Sequence, residues 1–357
     1  TFKKLYISNF FKAAELLWPE FPLNLAQTKD FFQNLAEQDD SMQPRITLHE
    51  QFVPRLQAAL NQQLPSAMPE EIFTHCAQFA YDKALQETDR HTFQAMEALV
   101  HNLNTMHSRA GAQTPFSSIN YGTDISPEGR MAIKNILLAT EAGLGQGETP
   151  IFPIHIFKVK AGVSFNPEDP NYDLFKLACR VSAKRLFPNF SFIDAPFNLQ
   201  YYKPGHPETE VSYMGCRTRV LGNHYNPQQE ITYGRGNLSF TSINLPRLAI
   251  KANHNLDLFF DDLERKMDLV AEQLLDRFKI QSHKKVRNFP FLMGQGVWLG
   301  SRELGIDDEV GEVLKNGTLS IGFIGLAETL VALTGSHHGE SMESRNLGLE
   351  IVSFMRE

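Results

Sequence analysis

Apolar residues recur along this chain with two different periods, and the change falls near His107. Over the first hundred residues the apolar positions keep helical spacing between prolines at Pro19, Pro22, Pro44, Pro54, Pro65 and Pro69, each of which removes a backbone donor and is expected to end a helix. The clearest stretch, about 92–106, sets Phe93, Met96, Leu99, Val100, Leu103 and Met106 on one face, which is expected to be buried. Beyond His107, residues 108–120 lose that period and are rich in small polar residues, which reads as a strand lined with hydroxyls and amides.

Strand and helix signals then alternate. Ser126-Pro127-Glu128 supplies an N-cap, a first-turn proline and a helix-favouring acid for a helix running to Gly143 and Gly145. Residues 151–159 form a β-branched apolar run suited to a buried strand, and residues 172–187 return to helical spacing. A strand at 191–197, a long polar and glycine-rich connection, a strand at 236–245 and a helix at 256–278 follow. The last carries an apolar stripe of Leu256, Phe260, Leu263, Met267, Val270 and Leu274. Finally, residues 318–324 read as a strand that turns at Gly325 into a helix. Repeated strand–helix units imply an α/β fold. The expected organisation is one structural domain, with a helical N-terminal portion (1–106) packing on an α/β portion (107–357).

Composition narrows the function. The 357 residues are 42% hydrophobic and 21% charged, enough to bury a sizeable core, and the net charge of −7 offers nucleic acid no general attraction. No apolar run reaches the length of a membrane span and no secretory leader precedes the first helix, so a cytoplasmic protein without nucleic-acid or membrane partners is expected. Three widely spaced cysteines suit neither a disulfide framework nor a metal knuckle. The chain opens on Thr1 and closes on Glu357 just after an apolar helix-like stretch, which reads as a piece of a longer polypeptide.

Cys216 stands apart from the other thiols. Cys76 and Cys179 sit within helical patterns and read as small core hydrophobes, whereas Cys216 lies in the polar connection between two strands. Gly215 permits close backbone approach there, and Arg217 and Arg219 could favour a thiolate or bind phosphate. A reactive thiol and an ordinary loop cysteine both fit this pattern. The glycines at 143–147 follow a helix and lack the lysine of a phosphate loop, so they read as a C-cap. His337-His338 has no further ligand at metal spacing. Ser117-Ser118 lacks the surroundings of a nucleophile elbow and suits binding better than attack.

Five motifs in order resemble the catalytic domain of class III, anaerobic ribonucleoside-triphosphate reductases: HSRAGAQTPFSSINYGT at 107–123, MGCRTR at 214–219, GRGNLSFTSINLP at 234–246, NFPFLMGQG at 288–296 and IGFIGLAE at 321–328. The resemblance covers about residues 90–357. It implies a ten-stranded α/β barrel of the glycyl-radical type, here incomplete, with a central loop whose tip carries the radical cysteine at the position of Cys216. It further implies that a thiyl radical on Cys216 removes the 3′ hydrogen of a ribonucleotide, after which the 2′ hydroxyl leaves as water and the intermediate is reduced. Asn237 matches the asparagine that contacts the ribose in formate-dependent members, and its neutral amide adds no charge beside a radical. A strand-end asparagine satisfying its own backbone is the alternative. Ser117, Ser118 and Asn120 are expected to line the substrate pocket, with Met214 packing beside the thiol.

The resemblance also implies partners: a ribonucleoside triphosphate substrate, dNTP and ATP effectors, formate as reductant, a radical-SAM activating enzyme and a second copy of the chain in a homodimer. It places the glycyl radical and a four-cysteine structural zinc in a C-terminal segment beyond Glu357, and a second active-site cysteine upstream of Thr1. On this reading the chain alone does not turn over. Another glycyl-radical enzyme, or a non-catalytic nucleotide-binding or dimerisation fragment, stays open as an alternative.

Overall fold

A computed structural model of the chain describes residues 2–19, 21–23, 46, 49–107, 114–215, 218–228 and 230–357. They divide into two units: residues 1–199 with 213–219, and residues 200–212 with 220–357. Mixed α/β structure runs through both. Among the described residues, seven strands form three separate sheets of three, two and two strands, none of them closed.

The first unit begins with helices α1 (Phe2–Leu17), α2 (His49–Gln63) and α3 (Glu70–Thr105). Ala13 and Ala14 of α1 and Ala77, Ala80 and Ala84 of α3 are all buried, and these small side chains let the two helices approach closely. The gaps around them are filled by Phe10 and Phe11, each at most 1% exposed, with the Phe10 ring 5.3 Å from that of Phe73. Removing side chains of that size from water contributes about 2–3 kcal/mol each. Pro54, expected to break a helix, lies inside α2. The helix continues because a proline removes one intrahelical donor without undoing the packing of Phe52, Leu56 and Leu60 on either side of it. The long helix α3 also departs from the expected face. Val100 is buried, but Leu99 and Met106 are exposed at 37% and 60%, so the stripe at 92–106 is covered only in part.

A three-stranded parallel sheet follows: β1 (Ser118–Tyr121), β2 (Ile154–Val159) and β3 (Asn189–Phe192), with helices α4 (Pro127–Ala142) and α5 (Tyr172–Arg185) in the connections. Every residue of β2 is buried, the polar His155 and Lys158 along with the apolar four, as the central strand of a parallel sheet requires. The expected strand at 108–120 shortens to its last residues, with 108–113 outside the described residues, and the strand expected at 191–197 shifts to Asn189–Phe192 before the chain turns. Ser126 caps α4 as expected, accepting from the Gly129 amide at 3.0 Å. Gly143 ends it at φ 85°.

Arg185, 7% exposed at the end of α5, completes the C-terminal end of α4. Its guanidinium donates to the carbonyls of Glu141, Ala142 and Gly147 at 2.7–3.0 Å. The last turn of a helix leaves such carbonyls unpaired, and a cation there also suits the helix dipole.

Sheet register divides the strand residues between two faces. Tyr121, His155, Phe157 and Val159 point toward α4 and α5, packing with Ile133, Leu137, Leu174, Ala178 and Val181. His155, 1% exposed, is bonded on both ring nitrogens, to Tyr121 Oη at 3.0 Å and to Thr140 Oγ1 at 3.2 Å. Thr140 spends its own proton on the Ile136 carbonyl, so His155 Nε2 is the donor to Thr140 and Nδ1 accepts from Tyr121. The ring is therefore neutral.

The second unit holds β6 (Asn237–Asn244) and β7 (Thr318–Ile324), paired in parallel, with helices α6 (Leu245–Ala252), α7 (Leu256–Ser282) and α8 (Gly311–Leu314) between them and α9 (Leu326–Thr334) and α10 (Met342–Arg356) after them. The apolar stripe of α7 does pack: Leu263 and Leu274 are buried, Phe260, Met267 and Val270 are partly so, and only Leu256 is exposed. Gly325 makes the strand-to-helix turn at φ 73°, where a Cβ would sit 2.3 Å from the Pro246 ring. The remaining two strands, β4 (Ser212–Met214) and β5 (Thr218–Val220), pair with each other.

Burial holds the His155 pKa down at about 4, against an ordinary 6.5. Above pH 6.5 the ring is neutral whether the chain is folded or not. Between 6.5 and 4 only the unfolded chain takes up the proton, so this residue costs the fold about 3 kcal/mol by pH 4. Urea unfolding of wild type and His155→Gln across that range should show the stability gap between them narrowing as the pH falls. A gap independent of pH would contradict the assignment of a buried neutral ring.

Candidate active site

The face of the first sheet opposite α4 and α5 carries Ser118 and Asn120 on β1, Ile154 and Ile156 on β2, and Ser191 on β3. Onto it folds the segment that leads to Cys216. Tyr213 packs with Ile154 and Ile156, and its backbone is held by one side chain. Asn120 Nδ2 donates to the Tyr213 carbonyl at 2.8 Å, and Asn120 Oδ1 accepts from the Tyr213 amide at 2.8 Å. The Tyr213 phenol accepts from Ser191 Oγ at 2.8 Å and donates to Asn198 Oδ1 at 3.4 Å. Two residues on, the Gly215 amide donates to Ser118 Oγ at 3.0 Å.

Gly215 has φ 58°, and a Cβ there would stand 3.1 Å from the Phe116 ring, so only glycine turns the chain here without strain. Cys216 and Arg217 lie outside the described residues. The segment is tied down again beyond them. Arg219 donates to the Phe197 carbonyl at 2.9 Å with its guanidinium 5.0 Å over the Phe197 ring. Of the residues expected at the site, the structure thus gathers Ser118 and Asn120 around the approach to Cys216, with Met214 half-buried on β4. Ser117 Oγ is buried with no hydrogen-bond partner among the described residues, while its carbonyl accepts from the Ile154 amide at 2.9 Å.

Asn237 belongs to the second unit, where a bulge shapes its setting. Asn237 pairs with Thr318 and Ser239 with Leu319, so Leu238 is the extra residue and turns into a satellite core with Trp298 and Val313. On the other side, Asn237 Oδ1 accepts from the hydroxyls of Thr318 and, at 3.2 Å, Ser320. With its oxygen spent on those hydroxyls, the amide keeps its N–H donors for another partner. Arg235 fixes the strand entrance by donating to the carbonyls of Leu221, Gly222, Ile231 and Asn316 at 2.9–3.2 Å.

Neither Tyr213, Ser191, Asn198 and Arg219 nor Thr318 and Ser320 stood out in the sequence. Only the alternation in Asn189-Phe190-Ser191-Phe192 signalled that Ser191 faces away from the aromatic layer. Cys179 corrects an expectation: it is exposed on α5, because Leu174, Ala178 and Val181 already fill the buried stripe. Cys76 does lie in the core. Among the described residues no three His, Cys, Asp or Glu side chains stand together as a metal site, and no helix is long and apolar enough to cross a membrane.

Parallel strands joined through helices, in the first sheet and in the β6–β7 pair, define the class as an α/β protein. A solved structure described as anaerobic ribonucleotide reductase shares the fold, with a TM-score of 0.51 at 14% identity, over 93% of this chain and 52% of the other. Residues 39–357 match the family described as anaerobic ribonucleoside-triphosphate reductase, and the chain belongs to that family. It is 34% identical over 279 residues to the anaerobic ribonucleoside-triphosphate reductase of Escherichia coli (strain K12), covering 77% of this chain and 38% of the relative. The protein of that description from Enterobacteria phage T4 is 35% identical over 283 residues, covering 77% of this chain and 44% of the relative. The chain therefore spans about two fifths of the length of these relatives.

Burial pushes the Cys76 thiol up to about 11, while Cys179 faces solvent. Iodoacetamide on the native protein should label Cys179 and spare Cys76 until urea is added, as read by peptide mass spectrometry. Labelling of Cys76 at the native rate of Cys179 would contradict the helical core.

Proposed function

We propose that the chain is the cysteine-bearing part of an enzyme that reduces ribonucleoside triphosphates to deoxyribonucleoside triphosphates under anaerobic conditions, with Cys216 as the hydrogen-abstracting thiol. The family match across 39–357, with Cys216 between two anchored strands, carries this reading. A thiyl radical at Cys216 takes the 3′ hydrogen, forming S–H and leaving the unpaired electron on the ribose carbon. The 2′ hydroxyl takes up a proton and departs as water, formate supplies two electrons and a proton as it is oxidised to carbon dioxide, and the Cys216 S–H returns its hydrogen to the 3′ carbon, restoring the thiyl radical. Asn237 offers N–H donors to a ribose oxygen.

The strand–helix units belong, on this reading, to the ten-stranded barrel of the family, the protein works as a homodimer under dNTP and ATP control, and a radical-SAM enzyme activates it. The described residues do not build a zinc site, and no step is assigned to one.

In the complete protein assayed anaerobically with labelled ribonucleoside triphosphate, Cys216→Ser should abolish deoxyribonucleotide formation while circular dichroism stays unchanged. Product at the wild-type rate would refute the assignment. Asn237→Asp keeps the side chain's size but exchanges its donors for a negatively charged acceptor, and should lower kcat/KM about 100-fold. Unchanged kcat/KM in that variant would remove Asn237 from the site.

A further inference from the structure

We propose that Asn120 is a positioning residue for Cys216, acting through the backbone of Tyr213, and that Ser118 assists it through the backbone of Gly215. This rests on the reading of Cys216 as the abstracting thiol. It gives the two side chains a different role from the substrate contact that the strand motif suggested.

The argument is one of commitment. An asparagine side chain carries one amide, and here its two ends take the N–H and the C=O of the same residue at 2.8 Å each, as a neighbouring strand would. The bonds fix both the height of Tyr213 above the sheet and its direction along β1. Ser118, two residues earlier on the same face, accepts from the last described amide before Cys216 at 3.0 Å. The Tyr213 ring is held separately by Ser191 and Asn198, and Arg219 ties down the far side of the turn on Phe197. Gly215, the last described residue before Cys216, holds φ 58°, a left-handed conformation that a side chain would strain.

Hydrogen abstraction needs the sulfur against one particular C–H bond, and a displacement of about 1 Å at a reacting atom can cost about 100-fold in rate. A residue that sets only the position of the sulfur is expected to change kcat and leave substrate affinity alone. A residue that touches the nucleotide changes KM.

The test uses the complete, activated protein under anaerobic conditions, with Asn120→Ala, Asn120→Asp, Ser118→Ala and Ser118→Thr. Asn120→Asp keeps the shape but loses the donor to the Tyr213 carbonyl, and Ser118→Thr keeps the acceptor for Gly215. Both Asn120 variants should lower kcat about 100-fold, with KM and the calorimetric affinity for ribonucleoside triphosphate within about twofold of wild type. Their glycyl-radical content, read by electron paramagnetic resonance, should match wild type. Ser118→Ala should lower kcat and Ser118→Thr should restore it. A rise in KM with kcat retained, or no change in either constant, overturns the proposal. If the Asn120 variants fail to fold, the Ser118 pair decides, and equal kcat in Ala and Thr overturns it. Cys216→Ser is run alongside: turnover in that variant means the reading of Cys216 has failed, independently of what Asn120 does.

Discussion

A β-strand shows its residues to two faces in turn, and β1 uses that alternation to separate two kinds of chemistry. Ile119 and Tyr121 point to the side where α4 and α5 close over His155 and Phe157, a layer of aromatic and aliphatic packing with one neutral histidine bonded inside it. Ser118 and Asn120 point the other way and hold the segment that precedes Cys216. A one-residue slip in the pairing of β1 with β2 would exchange these sets, burying Asn120 among the helices and aiming an isoleucine at the Tyr213 backbone. The fully buried β2 and the bonded His155 oppose that slip, so packing on the helix side of the sheet helps fix which residues face Tyr213 and Gly215.

In the second unit the corresponding device is a bulge. One extra residue, Leu238, turns inward to Trp298 and Val313, and as a result Asn237 meets Thr318 and Ser320 across the sheet. Arg235 then uses its guanidinium on four carbonyls of the surrounding loops. These carbonyls are only partly buried, so each bond contributes about 1 kcal/mol or somewhat more as a charged donor, and four from one cation order an irregular stretch.

Local signals were the legible ones. Ser126-Pro127-Glu128 announced α4, Gly325 announced the turn into α9, and the apolar run at 151–159 announced β2, because caps, left-handed turns and buried strands are decided by a few adjacent residues. What escaped was decided by distant partners. Pro54 did not end α2, since packing of its neighbours outweighed one missing donor, and Cys179 fell outside a buried stripe that three other residues already filled. Ser118 and Asn120 were visible as polar strand residues, but that their partners would be the backbone of Tyr213 and Gly215 depends on a contact across some ninety positions of chain. The family motifs brought out Cys216 and Asn237, and the geometry added the neighbours that hold Tyr213 and Gly215 ahead of Cys216 and those that meet the Asn237 side chain.

The amide of Asn120 occupies at Tyr213 the pair of backbone groups that an added strand would need. Exposed strand edges invite pairing with other chains, and proteins usually blunt them with charge, proline or a covering helix. Here a single uncharged side chain closes the edge. It does so with one residue's width, and self-association through this part of the β4 edge is discouraged at the same stroke.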